Sequence, residues 1–175
     1  MPVTENVTKK HNERARRIDR GRKLLEERKG LSDDKRLRII KSTITELVDG
    51  IKQGQWTSYD VVSSFIVQAI KAHEATNCLT EVLFEEALTE AKQLDAEFET
   101  KRELRGGLHG VPVTFKDQYK IQGFDNTIGF THWVDDHATQ DAELVAQARS
   151  MGAIIIAKTN VPQTMMGFEC VNPLW

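Results

Sequence analysis

Two short apolar runs constrain the fold of this chain more than any other feature. The first, residues 111–115, follows a glycine-rich turn, and the second, residues 153–157, consists only of alanine and isoleucine. The first run predicts a short buried strand, and the second, which is uninterrupted, is typical of a strand that is covered on both faces. Between them lie a loop and a stretch with the apolar spacing of a helix. The order strand, loop, helix, strand predicts an α/β fold with parallel strands.

The chain before residue 106 has the pattern of a small helical layer. Thr43 with Glu46 and Thr57 with Asp60 have the spacing of capping boxes, and each pair precedes apolar residues at helical spacing. Three further elements are predicted: a short strand over residues 79–84, a helix over residues 87–101, and a helix that Asp141 caps and Gly152 ends.

The charge of the chain is unevenly distributed. Residues 1–36 hold 12 Lys and Arg against 7 Asp and Glu, a net charge of +5, while the remaining 12 and 19 give −7. We expect residues 1–10 to be disordered and residues 11–29 to form a lightly packed helix that Gly30 ends. Acidic residues interrupt the basic ones, which is typical of a solvated helix face and disfavours nucleic-acid binding.

Composition points to a cytoplasmic protein without a metal or cofactor. There is no apolar stretch near the roughly 20 residues that a membrane span needs, nor the apolar segment of a signal peptide. Cys78 and Cys170 are expected to be free thiols in a reducing compartment. The five histidines lack metal-ligand spacing, and the glycines at 106–110 precede a strand, unlike a phosphate-binding loop. We interpret those glycines as a turn that allows close backbone approach. The sequence does not predict the oligomeric state.

Two lysines are candidates for acid–base chemistry. Lys116 and Lys158 each follow an apolar strand, where burial would lower the pKa of a lysine and make it a general base. Lys116 could equally be a surface residue or pair with Asp117, and Lys158 could be a surface lysine or a packing stem. Local sequence does not rank the two.

Two blocks of sequence resemble the amidase signature family. Residues 106–117 read Gly-Gly-Leu-His-Gly-Val-Pro-Val-Thr-Phe-Lys-Asp, and residues 152–163 read Gly-Ala-Ile-Ile-Ile-Ala-Lys-Thr-Asn-Val-Pro-Gln. In that family the first block is G-x-L-x-G-[IV]-P-[IV]-x-x-K-D, and the second ends its strand in K-T-N. Residues 159–174 and 43–104 look most like the fungal acetamidase and fatty-acid-amide-hydrolase-like branch.

The resemblance implies an amide-bond hydrolase with a Ser-cisSer-Lys triad. Lys116 matches the catalytic lysine and Lys158 does not, while Met165 matches a substrate-pocket position. The resemblance implies no cofactor, and it places the two catalytic serines beyond residue 175. Residues 37–175 would then be the N-terminal part of an amidase domain, truncated before the serine segment, and residues 1–36 a basic helical extension. The fold implied is a helical layer leading into the first part of the mixed amidase sheet.

Several expectations follow from this incompleteness. Alone, the 175-residue chain should have no amidase activity, and an exposed apolar sheet face should make it poorly soluble. One alternative is a glutamine-amide-hydrolysing subunit of an amidotransferase, although the segments 116–119 and 161–163 look acetamidase-like. Another is a non-catalytic truncated protein that acts as a partner or regulator through its basic N-terminal helix.

Overall fold

The computed structural model describes residues 3–27 and 31–175. Six α-helices and three strands make up most of this part of the chain, with two single-turn 3₁₀ helices at Thr131–Trp133 and Gln163–Met165. The helices are α1 (Val3–Glu26), α2 (Asp33–Lys41), α3 (Ile44–Lys52), α4 (Ser58–Thr76), α5 (Phe84–Lys101) and α6 (Glu143–Ser150). The strands are β1 (Leu79–Val82), β2 (Pro112–Lys116) and β3 (Ile154–Thr159).

The three strands form one mixed sheet in the order β1-β3-β2. β3 is central, pairing in parallel with β2 and antiparallel with β1. Ile154 and Ile156 pack into the main core with α4 and α5, whereas Ile155 joins a second cluster with Val145 of α6. The predicted α/β class, the parallel pair and the strand covered on both faces are therefore confirmed.

Local helix signals are mostly confirmed. Thr43 with Glu46 and Thr57 with Asp60 both form complete capping boxes. The prediction for Asp141 is wrong, because α6 has Ala142 as its N-cap, with no side-chain cap. The Asp141 carboxylate instead accepts a hydrogen bond from the Gln122 amide at 2.8 Å and pairs with Arg149 at 3.0 Å, which fixes the preceding loop.

The N-terminal helix differs from the expectation in extent and in packing. Helix α1 begins at Val3, so residues 3–10 are helical rather than disordered; the helix ends at Glu26, and Gly30 lies outside the described residues. It is not lightly packed, since one face is buried, formed by Lys10, Arg14, Ile18 and Gly21. Two of these four carry charge, which is why the apolar pattern alone underestimated the contact.

Most of the basic side chains of α1 that reach the surface pair with acidic residues from later in the chain. The pairs are Lys9–Asp135 at 2.6 Å, Arg17–Glu86 at 2.8 Å, Arg20–Glu85 at 3.3 Å, and Arg22–Glu74. The positive N-terminal segment and the negative remainder thus attract each other within the fold. Exposed pairs of this kind contribute little individually, roughly 0–1 kcal/mol each.

The glycine-rich turn before β2 is tight, as its interpretation required. Gly110 has φ +74°, and a Cβ at this position would lie 2.6 Å from the Ser58 hydroxyl oxygen. A Cβ at Gly106 would lie 2.8 Å from the carbonyl oxygen of Met151. These glycines therefore allow the turn to pack against α4 and the end of α6.

The state of the cysteines and the length of the apolar helices can be compared with the predictions made from composition. Cys78 is half-buried and Cys170 exposed, and both are free thiols as predicted. Among residues 3–27 and 31–175, no helix is both long enough and apolar enough to cross a bilayer.

Candidate active site

Lys116 lies at one end of the sheet, and Met165 lies in a turn that follows the neighbouring strand. Lys116 is the last residue of β2 and pairs in register with Thr159, the last residue of β3. Because the two strands are parallel, their carboxyl ends meet at one edge, the position at which α/β sheets commonly bind ligands. Met165 follows shortly after β3, in the 3₁₀ turn Gln163–Met165.

The side chain of Lys116 is exposed, contrary to the expectation that its strand would bury it. Strand β2 lies at the edge of the sheet and is only partly covered, so a lysine at its end points into open space. Within the described ranges, no side chain forms a hydrogen bond or ion pair with the Lys116 ammonium. The alternative pairing with Asp117 is therefore also wrong.

Lys158, the rival candidate, is completely buried. Its ammonium donates a hydrogen bond to the Asp125 carbonyl at 2.6 Å and lies 3.4 Å from the Asp117 carboxylate. Burial lowers the pKa of Lys158, and the nearby carboxylates of Asp117 and Glu81 offset only part of that effect. A lysine enclosed in this way is held by its partners and is closed to a substrate. The interpretation of Lys158 as a surface lysine is wrong.

Asp117 is the buried polar residue next to Lys116 that sequence reasoning did not single out. Its carboxylate, fully inaccessible to solvent, accepts hydrogen bonds from the hydroxyls of Thr80 and Thr127, each at 3.0 Å, and from the Ile128 amide at 2.8 Å. Its own amide donates to the Thr159 carbonyl at 2.9 Å. The sequence signals were its position directly after a strand-terminal lysine and its match to the final aspartate of the family block at residues 106–117.

A second set of buried charges joins α1 to β1 and to the loop that contains Asp125. The Lys10 ammonium, 2% exposed, lies 2.6 Å from the Glu81 carboxylate and 3.1 Å from that of Asp125. The other Asp125 oxygen lies 2.6 Å from Nδ1 of His137. Burial by itself lowers the pKa of Lys10, but attraction to Glu81, their hydrogen bond and Asp125 outweigh it and raise the net pKa above its usual range.

Residues 163–171 form an exposed loop, and hydrogen bonds hold together the residues at its two ends. The Asn172 side-chain amide donates to the side-chain oxygen of Asn160 at 2.7 Å and to the Val161 carbonyl at 2.8 Å. The tip exposes four apolar side chains, those of Met165, Met166, Phe168 and Val171. Met165 is 46% exposed. Exposed apolar side chains so close together in the chain are more typical of a binding surface than single ones are.

The histidines do not form a metal site in the part of the chain that the structure describes, where no three His, Cys, Asp or Glu side chains come together as ligands. His109 is instead a buried residue of the glycine-rich turn, 1% exposed, whose Nδ1 accepts a hydrogen bond from the Arg105 amide at 2.9 Å. Nδ1 can accept this hydrogen bond only when it carries no proton. Burial lowers the pKa of His109 from its ordinary 6.5; Asp95 opposes this shift and Arg105 reinforces it.

His109 should make the stability of the fold depend on pH. Because the pKa is lower in the folded chain, the unfolded chain binds the proton first as the pH falls. The free energy of unfolding should therefore be highest above about pH 6.5 and decrease below it, by on the order of 1 kcal/mol by pH 5. Urea unfolding at pH 7.5 and pH 5 measures the change.

The matched variant is His109→Asn, whose side-chain oxygen can accept the same hydrogen bond without titrating. It should lose less stability between the two pH values than the unaltered chain, whereas His132→Asn, at an exposed position, should behave like the unaltered chain. Equal pH dependence in all three proteins would show that His109 does not contribute.

Comparison with known proteins identifies the family. The family model described as Amidase matches residues 60–175. The chain is 40% identical over 188 residues to Amidase 2 of Gibberella moniliformis, covering 99% of this chain and 33% of that protein. It is 37% identical over 148 residues to an acetamidase of Aspergillus oryzae, covering 85% of this chain and 27% of that protein. The chain belongs to the amidase family.

The fold comparison agrees with the sequence comparison. A solved structure titled fatty acid amide hydrolase superposes with a TM-score of 0.78 at 25% identity, covering 98% of this chain and 29% of that one. The predicted resemblance to the amidase signature family and to its acetamidase and fatty-acid-amide-hydrolase-like branch is confirmed, as is the match to the N-terminal portion of those proteins. The chain spans roughly a quarter to a third of the length of the curated relatives described here.

Proposed function

We propose that this chain is the lysine-bearing part of an acetamidase-type amide hydrolase, with Lys116 as the catalytic base. One observation carries the proposal: in the matched block 106–117, Lys116 alone combines a strand-terminal position with an exposed ammonium group. Lys158 is enclosed by carboxylates and a carbonyl, so it has no access to a substrate. A base must reach the proton that it removes, and of the two lysines only Lys116 satisfies this requirement.

The proposed chemistry is that of a Ser-cisSer-Lys triad. Lys116 accepts a proton from a bridging serine, which takes one from the nucleophilic serine as this attacks the amide carbonyl carbon. The C–N bond then breaks, the proton passes to the leaving amine, and water hydrolyses the acyl-enzyme. Backbone amides stabilise the oxyanion.

Cys78 and Cys170, both free thiols, support a cytoplasmic setting for this enzyme.

Four of the six serines donate hydrogen bonds to carbonyl groups of the helix in which, or at whose end, they lie. Ser63 and Ser64 are buried in α4 and donate hydrogen bonds to the Asp60 carbonyl. Ser42 and Ser150 donate to the backbone of their own helices in the same way. We therefore propose that residues 1–175 alone do not form an acyl-enzyme, and that both triad serines come from sequence corresponding to the rest of the relatives.

We propose small or fatty amides as the substrates, with Met165 lining the acyl site. The exposed apolar loop 163–171 follows β3 and so begins at the edge of the sheet that carries Lys116. Apolar side chains at that edge suit an acyl chain better than a polar group. The acetamidase relative supports this assignment over an amidotransferase subunit. The internal ion pairs of α1 argue against a regulator that acts through a free basic helix.

A chimera tests the proposal. Residues 1–175 replace the matching N-terminal portion of Amidase 2 of Gibberella moniliformis, and ammonia release is measured with an amide that the unaltered host hydrolyses. We expect the chimera to hydrolyse the amide, and residues 1–175 alone to give neither turnover nor a burst of acylation. A chimera that unfolds as cooperatively as the host yet releases no ammonia would count against the function. A burst from residues 1–175 alone would refute the proposed inactivity.

A further inference from the structure

We propose that Asp117 and Lys158 are a positioning pair, which holds the strand end that carries Lys116. This inference rests on the proposed role of Lys116. Neither residue is assigned to the chemistry, because both are enclosed by protein. Their role would be to fix the backbone from which the catalytic side chain extends.

The position of Lys116 depends on its backbone. Its side chain is exposed, and no other side chain in the described residues holds it. The main chain around it, however, is tightly bonded: the Tyr119 amide donates to the Lys116 carbonyl at 2.9 Å, and the Asp117 amide donates to the Thr159 carbonyl at 2.9 Å. The direction of Lys116 is therefore set by the turn that begins at Asp117.

The Asp117 carboxylate connects that turn to two other segments. Thr80 binds it from β1, and Thr127 and Ile128 bind it from the loop before the first 3₁₀ turn. Ile128 has φ +50°, a conformation that a β-branched residue rarely adopts. The hydrogen bond from the Ile128 amide to Asp117 compensates for that strain, so the carboxylate fixes the shape of the loop as well as that of the strand end.

Lys158 balances the charge of Asp117 in a place that water does not reach. Both side chains are fully buried, and the ammonium lies 3.4 Å from the carboxylate while donating to the Asp125 carbonyl at 2.6 Å. A buried ion pair often stabilises a fold no better than an apolar pair of similar volume. Stability alone therefore does not explain this pair, whereas the directed contacts of the carboxylate with three segments do.

The first test uses the 175-residue chain with ¹³C-dimethyl labels on its lysines. The resonance of Lys116 is identified as the one that disappears in Lys116→Arg. In Asp117→Asn the single side-chain oxygen can face the Ile128 amide or the Lys158 ammonium but not both, so the NH₂ group is left against the other donor. We expect the Lys116 resonance to split or broaden and hydrogen exchange of the Ile128 amide to rise by about tenfold. Exchange at Ile66, in the core of α4, should change less than about twofold, which separates local release from global loss of stability.

Rescue distinguishes positioning from a general structural defect. In Asp117→Asn with Lys158→Met, the amide can turn its oxygen to Thr127 and Ile128 and its NH₂ to the Thr80 hydroxyl, with no ammonium opposing it. We expect this double variant to restore a single Lys116 resonance. Thr80→Val is a milder variant that should shift that resonance even if Asp117→Asn unfolds, and Thr114→Val, at an exposed position of β2, should not.

The chimera supplies the second readout. There Asp117→Asn should lower kcat by about 50-fold or more while KM stays within about threefold, and the double variant should recover most of kcat. An unchanged Lys116 resonance in both Asp117→Asn and Thr80→Val, or a double variant no better than the single one, would overturn the inference. If instead Lys116→Met leaves the chimera active, the proposed function fails while the resonance test of positioning stands.

Discussion

Replacing Lys10 with methionine is expected to lower the free energy of unfolding by about 3–5 kcal/mol, because the change removes the cation that lies between two buried carboxylates. Lys10 is 2% exposed and lies 2.6 Å from Glu81 and 3.1 Å from Asp125, which are themselves buried. Methionine preserves much of the aliphatic volume, so the loss reports the charge rather than a cavity. Urea unfolding, followed by circular dichroism, measures the difference.

The neighbouring lysine provides the matched control. Lys9 pairs with Asp135, but both side chains are more than 40% exposed, so Lys9→Met should cost no more than about 1 kcal/mol. Adding Glu81→Gln to Lys10→Met removes one of the two carboxylate charges and should recover part of the loss. Equal destabilisation by Lys10→Met and Lys9→Met would contradict the buried network.

The size of the Lys10 effect reflects where α1 lies. The Lys10 ammonium and the Arg14 guanidinium stack over the ring of Trp175, at 5.7 Å and 5.4 Å from its centroid. The His11 ring also hydrogen-bonds the Leu174 carbonyl at 2.8 Å, and Asn77 donates to the Trp175 carbonyl at 2.7 Å. Helix α1 thus packs against residues 174–175, and releasing α1 would expose them.

The elements predicted correctly from sequence are those specified by close neighbours in the chain. The capping box of Thr43 and Glu46 needs only residues three positions apart, and the apolar composition of residues 153–157 predicts a buried strand. The resemblance of residues 106–117 then identified the family. In each case the signal is contained in a continuous stretch, so no knowledge of the tertiary structure was needed.

The errors concern contacts between distant residues. The buried face of α1 contains Lys10, whose partners Glu81 and Asp125 are specified far along the chain, so a pattern based on apolar residues missed it. Lys116 and Lys158 look alike locally, since each follows an apolar strand. One is exposed and the other buried because β3 is central in the sheet and β2 is at its edge, and strand order is not encoded in either segment.

Replacing Lys116 with methionine in the chimera is expected to reduce kcat/KM by about a thousandfold or more. Methionine has a similar length and no basic nitrogen, so the bridging serine loses its proton acceptor. Because the Lys116 side chain is exposed and forms no hydrogen bond in the described residues, the fold should lose little stability. The rate is measured as ammonia release, and stability as the midpoint of thermal unfolding.

Lys120→Met is the matched control, since Lys120 is also an exposed lysine and lies only four residues further on. The most direct test of the whole interpretation is the ratio of kcat/KM between the Lys116→Met and Lys120→Met chimeras, measured under identical conditions. We predict a ratio of about 0.001 or less, with both proteins unfolding at similar temperatures. A ratio within about tenfold of one would contradict the assignment of Lys116 as the catalytic base.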